Sequence, residues 1–215
     1  SFSGRPDATK LTAGLGSKWE SSEVGFKLYP SVTSIHSALD SLHTLMTVHA
    51  LNADDIAHVR VGCGHMTFVH TAWPYKPAGV TAAQMNMFYG LAVMALRGEA
   101  SASQYEEGKL ADQAVLDFIG KVEVHEDAQI EAMGAAYRHA CRLEVRTSDG
   151  RVLEYETLSR RGSPENPVGA LDVERKFAHN VAGRLKPAKA KRLQEQAMNL
   201  DTLASLDDLS ACLRA

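Results

Sequence analysis

Between residues 34 and 51 apolar side chains recur at intervals of three and four, with Ala38, Leu42, Leu45 and Met46 on one face. That spacing predicts a helix, with Asn52 as its stop. Ile56-Ala57-His58-Val59-Arg60-Val61 instead alternates apolar with polar, the two-residue period of a strand, and runs into Gly62 and Gly64. Two prolines in Trp73-Pro74-Tyr75-Lys76-Pro77 impose a loop. The helical period returns over residues 81–97. Thr81 stands where a cap belongs, Met85, Phe88, Leu91 and Ala92 or Ala95 line one face, and Gly98 follows as a terminator. This segment is apolar nearly all round, so it belongs in the interior. A shorter helix is expected over 110–119 before Gly120, then a small strand at Val122-Glu123-Val124. Residues 141–147 and 151–158 alternate on either side of Ser148-Asp149-Gly150, the pattern of a β-hairpin.

The flanks read differently. Residues 1–25 are rich in Gly, Ser and charge without periodicity and form a loop-rich lead-in, with Trp19 and Phe26 as candidate anchors. Gly162-Ser163-Pro164-Glu165-Asn166-Pro167 interrupts regular structure. Residues 171–181 should be helical, with Val173, Phe177 and Val181 on one face, and 188–213 should add one or two further helices. Strands in the middle and helices at both ends indicate an α+β fold: an antiparallel sheet covered by helices, with additional C-terminal helices. The expected division is a lead-in over 1–25, an α+β body over 26–170 and C-terminal helices over 171–215.

Composition narrows the function classes. The chain has 215 residues, 45% hydrophobic and 23% charged, which suits a packed globular body and argues against extensive disorder. With 23 Lys+Arg against 26 Asp+Glu, the net charge of −3 lacks the basic excess of a general nucleic-acid surface. No apolar run approaches the ~18 residues that span a bilayer. Cys63, Cys141 and Cys212 are odd in number and widely spaced, which fits neither a disulfide framework nor a zinc knuckle and points to a reducing, cytoplasmic setting. The chain opens Ser1-Phe2-Ser3-Gly4, without Met and without a charged and apolar leader. The expectation is a trimmed or partial chain with no retained signal peptide.

Standard chemical motifs are absent. His65 and His70 are five apart and His43 and His49 six apart, so neither pair has the four-residue helical spacing of two ligands, and no HExxH occurs; no metal site is expected. Gly62-Cys63-Gly64 lacks the remaining elements of a phosphate-binding loop, there is no GxSxG, and Cys63 reads as a buried inert thiol. The informative stretch is Phe26-Lys27-Leu28-Tyr29-Pro30-Ser31-Val32-Thr33-Ser34-Ile35-His36. Here a proline-stiffened loop delivers one ammonium, three hydroxyls and one imidazole to a helix entrance, where free backbone N–H groups favour anions. Lys27 suits a carboxylate, Ser31, Thr33 and Ser34 are neutral donors, and His36 exchanges protons near neutrality. The plainer alternative is that Ser34 only caps the helix and Lys27 is solvated.

At this stretch the sequence resembles the MmgE/PrpD family, which includes 2-methylcitrate dehydratase, cis-aconitate decarboxylase and iminodisuccinate epimerase. The resemblance is carried by Lys27-Leu28-Tyr29-Pro30 with His36 and Ala38-Leu39-Asp40, then residues 81–86 through Ala92 and Gly98. Val145-Arg146-Thr147-Ser148-Asp149-Gly150 and residues 162–167 with Lys176-Phe177 follow in order, and the likeness extends over about residues 15–185. It implies the lid and C-terminal return of a larger enzyme whose N-terminal helical domain is supplied in cis or in trans. It further implies a cofactor-independent site between the two parts, a di- or tricarboxylic acid substrate, dehydration, decarboxylation or epimerisation by acid/base chemistry, and a homodimer. On this resemblance His36 is the lid's catalytic candidate and Lys27, Ser31 and Ser34 are its substrate-binding candidates. The isolated chain would be inactive, and Leu193, Leu200, Leu203, Leu206 and Leu209 are candidates for a docking face. Two readings from other classes stand beside it: a carboxylate-binding module without catalysis, and a structural or dimerisation domain.

Overall fold

The computed structural model describes residues 7–213. The helices are α1 (His36–Val48), α2 (His65–Thr71), α3 (Val80–Met85), α4 (Met87–Arg97), α5 (Gln113–Ile119), α6 (Ala128–Ala132), α7 (Ala170–Val181), α8 (Pro187–Met198) and α9 (Asp207–Leu213). The strands are β1 (Ile56–Cys63), β2 (Val122–Glu126), β3 (Cys141–Thr147) and β4 (Val152–Thr157).

The four strands form one sheet in the order β2-β1-β3-β4. β3 and β4 are the expected hairpin, with Cys141 opposite Thr157 and Arg146 opposite Val152. β1 runs antiparallel to β3, pairing Val59 with Val145 and Cys63 with Cys141, with a register shift between Ile56 and His58. β2 is parallel to β1, from Val59 opposite Val122 to Cys63 opposite Glu126. The expectation of a purely antiparallel sheet is therefore corrected: the sheet is mixed. Residues 64–121, with α2 to α5, form the long crossover that a parallel neighbour requires, and no local turn signal announces such a pairing.

One sheet face carries the core. Val59, Val61, Leu143 and Val145 point inwards to meet Ile35, Leu39 and Leu42 of the α1 region and Leu91 of α4. α1 and α4 cross at Gly90, where an added Cβ would lie 2.9 Å from Ile35 Cδ1 and 3.3 Å from Leu39 Cδ2, so only a residue without a side chain permits that approach. The opposite face is charged and internally neutralised. Arg60 Nε lies 3.2 Å from Glu123, Arg142 Nε 2.6 Å from Glu156 and Arg146 Nε 2.7 Å from Glu144. The alternation in β1 and β3 thus reports a half-solvated sheet.

The apolar segment expected as one helix is two. Asn86 adopts an extended conformation (φ −105°, ψ 124°) between α3 and α4. Its side chain accepts from Tyr89 N–H (3.0 Å) and donates to the Trp73 carbonyl (2.7 Å). A fully buried Asn that satisfies both roles breaks the helix and fastens it to the proline loop. Thr81 lies inside α3 rather than at its cap, which is Gly79. Gly98 terminates α4 in the left-handed conformation (φ 68°) as its position suggested.

The lead-in contains 3-10 turns at Ala8–Leu11 and Glu20–Glu23. Trp19 and Phe26 are 69% and 55% exposed, so neither anchors it by burial. The attachment is made by backbone: Phe26 N–H donates to Gly162 O (2.7 Å) and Arg160 Nη1 donates to Phe26 O (3.0 Å). At the other end α8 and α9 pack on each other through buried Leu193 and Cys212, while Leu200 and Leu206 are exposed and Leu203 and Leu209 half-buried. Among the described residues no helix is long and apolar enough to cross a membrane.

Replacing Asn86 by Ala removes a cap and orphans the buried Trp73 carbonyl. The expected loss is about 2 kcal/mol of unfolding free energy in urea denaturation. A loss below about 0.5 kcal/mol would show that other contacts hold the break.

Candidate functional site

Residues 25–36 form the connection from the lead-in to α1. Val32 N–H donates to Gln84 O (2.9 Å), and a 3-10 turn at Thr33–Ile35 feeds into the helix at His36. Inside this reversal the Ser31 carbonyl receives two donors. Lys27 Nζ approaches it at 3.3 Å from before the proline, and His36 Nε2 at 3.3 Å from after the turn. A carbonyl only accepts, so His36 carries its proton on Nε2.

The His36 ring is fully buried, packed edge-on against Tyr29 with centroids 5.2 Å apart. Burial pushes its pKa down to about 4, opposed by the bond to Ser31 and reinforced by the positive charges of Arg160 and Lys27. The imidazole is therefore neutral at physiological pH. Tyr29 also donates its hydroxyl to Asp40 (2.7 Å), whose pKa burial raises against the pull of Tyr29 and Arg161. Arg161 spans from Asp40 (3.5 Å) to Asp172 of α7 (2.6 Å), which joins α1, the post-hairpin loop and the first C-terminal helix.

Beside the turn lies a cavity of about 670 Å³. Thr33 and Ser34 border it on one side, His70 of α2 on another, and Tyr137, Arg138 and His139 close the third. Ser34 is not a helix cap: α1 has Ile35 at that position and no side-chain cap, so the Ser34 hydroxyl is left to the cavity. Arg138 Nε donates to His139 Nε2 (3.2 Å), and burial followed by the charges of Arg138 and Arg160 pushes the His139 pKa down to about 4.

The sequence-derived candidates thus divide. Lys27, Ser31 and His36 meet at one carbonyl. Ser31 is itself buried, its hydroxyl close to that of Tyr105, and Lys27 remains exposed. Thr33 and Ser34 line the cavity, and Lys27, Ser31 and His36 do not. The His36 ring, the lid's catalytic candidate, is buried and does not line the cavity, and Ser31 O accepts from its Nε2. Arg138, His139 and His70 went unread because no local spacing connects them with Ser34. Cys63 and Cys141 are cross-strand neighbours whose thiols burial pushes up to about 12, so both are unreactive. Among the described residues no three His, Cys, Asp or Glu side chains gather in a way that could hold a metal ion.

Because folding lowers the His36 pKa from 6.5 to about 4, the unfolded chain binds the extra proton between those values. Its stabilisation is complete above pH 6.5 and is lost as pH falls towards 4, by about 3 kcal/mol in total. Urea unfolding followed from pH 7.5 to 4.5 should show this decline, and His36→Gln should flatten it, the residual slope belonging to His139. Equal slopes in parent and variant would contradict a neutral buried ring.

Comparison with known proteins gives the family. The family model described as MmgE/PrpD C-terminal domain matches residues 29–202. A cis-aconitate decarboxylase-like protein, oryM, of Aspergillus oryzae is 22% identical over 213 residues, covering 95% of this chain and 43% of that protein. A cis-aconitate decarboxylase of Aspergillus terreus is 22% identical over 209 residues, covering 93% of this chain and 42% of that protein. The chain therefore spans less than half the length of these relatives. With the family model covering most of its residues, the chain belongs to the MmgE/PrpD family and corresponds to its C-terminal domain.

Proposed function

We propose that this chain is the lid portion of a cofactor-independent, cytoplasmic lyase that acts on a di- or tricarboxylic acid. An N-terminal helical domain, in cis or in trans, supplies the remaining catalytic groups, and the assembly is a homodimer. The observation that carries the reading is the turn at residues 31–36, whose polar groups converge beside a cavity bordered by hydroxyls, imidazoles and a guanidinium. Family membership supports it, as do two relatives named for cis-aconitate decarboxylation.

Each residue takes a role its position allows. Lys27 attracts a substrate carboxylate from the exposed side of the turn, and Ser34 offers a hydroxyl to the bound acid. Ser31 contributes through its carbonyl. His36 is a positioning residue: it is neutral and buried, and it holds the carbonyl that shapes the turn. In the reaction either a base takes a proton from a carbon next to a carboxylate and hydroxide departs, or carbon dioxide leaves and the carbon that keeps the electron pair is protonated. Both routes build enolate-like charge, which nearby donors stabilise by about 3 kcal/mol for each well-placed one.

The test is turnover of cis-aconitate, followed as carbon dioxide release, by this chain alone and joined to the N-terminal region. The joined protein should turn over and the chain alone should stay at background. Lys27→Met in the joined protein should raise KM about tenfold with its fold intact, the effect of losing one charge-assisted contact. Full activity of the chain alone, or an unchanged KM, would contradict the proposal.

A further inference from the structure

Arg138 differs from the arginines of the sheet. Arg60, Arg142 and Arg146 each hold a carboxylate. Arg138 holds none: its Nε donates to His139, and its two terminal nitrogens have no hydrogen bond among the described residues. Its backbone is nevertheless fixed, since the buried Thr67 hydroxyl donates to the Arg138 carbonyl (2.8 Å) and Ala140 N–H donates to Tyr137 O (2.8 Å).

The imidazole next to Arg138 orients the guanidinium without cancelling its charge. His139 Nε2 accepts from Arg138, so the neutral ring keeps its proton on Nδ1. The acid on the cavity wall, Glu131, is occupied differently, with Oε2 accepting the His65 backbone N–H at 2.8 Å. The same lining includes Thr33, Ser34 and His70, whose side chains make no hydrogen bond among the described residues. An exposed guanidinium without a carboxylate partner, on a lining that it shares with these donors, suits an oxygen-rich anion, because the fork matches a carboxylate with two parallel bonds. A volume of about 670 Å³ accommodates a small polycarboxylate.

We infer that this cavity is a carboxylate-binding site in which Arg138 grips one carboxylate and the Ser34 side receives another. The choice of a polycarboxylate rests on the function proposed above; the anion receptor itself rests on Arg138.

The probe is tricarballylate (propane-1,2,3-tricarboxylate), which resembles the proposed substrate class without its reactive bond, titrated calorimetrically into the full chain at low ionic strength. Saturable binding is expected, at least tenfold weaker in Arg138→Gln, intermediate in Arg138→Lys and changed less than twofold in Arg142→Gln on the open sheet face. No saturable binding by the parent, unchanged binding in Arg138→Gln, or equal weakening by Arg142→Gln would overturn the inference. Kinetics of the joined protein separate the two claims. Turnover of cis-aconitate with a KM indifferent to Arg138→Gln refutes the Arg138 site and leaves the lyase reading intact. Binding through Arg138 without turnover of any carboxylate refutes the lyase reading and leaves the site.

Discussion

The Ser31 carbonyl accepts Lys27 from one side of a chain reversal and the buried His36 from the other, and these two hydrogen bonds, the inner one above all, fix the course of the segment. A carbonyl oxygen has two lone pairs, so one acceptor can tie a residue ahead of Pro30 to the first residue of α1. Burial, not the tie itself, keeps His36 neutral: the bond to Ser31 O would favour a charged ring, but a charged ring with no carboxylate beside it would be strongly destabilising in a dry interior. With the reversal closed in this way, Ser31 turns inward and Thr33 and Ser34 turn towards the cavity. An imidazole that reads in sequence as a proton-transfer group is thus held in the interior by a backbone carbonyl.

Two neighbouring arginines extend the same constraint. Arg160 bonds the Phe26 carbonyl and contributes positive charge at His36 and His139, while Arg161 bridges Asp40 and Asp172. The post-hairpin loop therefore clamps the entrance of α1 and the start of α7 together. Positive charge thereby gathers around the His36 turn. On the outer sheet face, by contrast, Arg60, Arg142 and Arg146 are each paired with a glutamate.

Much of this was legible in sequence where a period or a turn residue acts locally. The α1 stripe, the β1 alternation, the hairpin around Gly150 and the stop at Gly98 all follow from adjacent residues and appear at their expected places. The parallel β1–β2 pair was not legible, since it is decided by a crossover of four helices. Nor was the break at Asn86, where one buried amide outweighs a continuous apolar pattern. At the candidate site, the residue types in 27–36 singled out a segment that borders a cavity, but the burial of the His36 ring has no local signature. Arg138 and His139 precede β3 without any motif, and only tertiary packing brings them opposite Ser34.

The most direct measurement is long-range proton–nitrogen NMR of the imidazoles in the nitrogen-15-labelled chain, which reads the proton on each ring nitrogen. The account predicts that His36 at pH 7 is neutral, protonated on Nε2 and bare on Nδ1, and that it stays so down to pH 5. A proton on Nδ1 with Nε2 bare would mean that the Ser31 carbonyl does not close the turn, and a charged ring at neutral pH would contradict its burial in a dry interior.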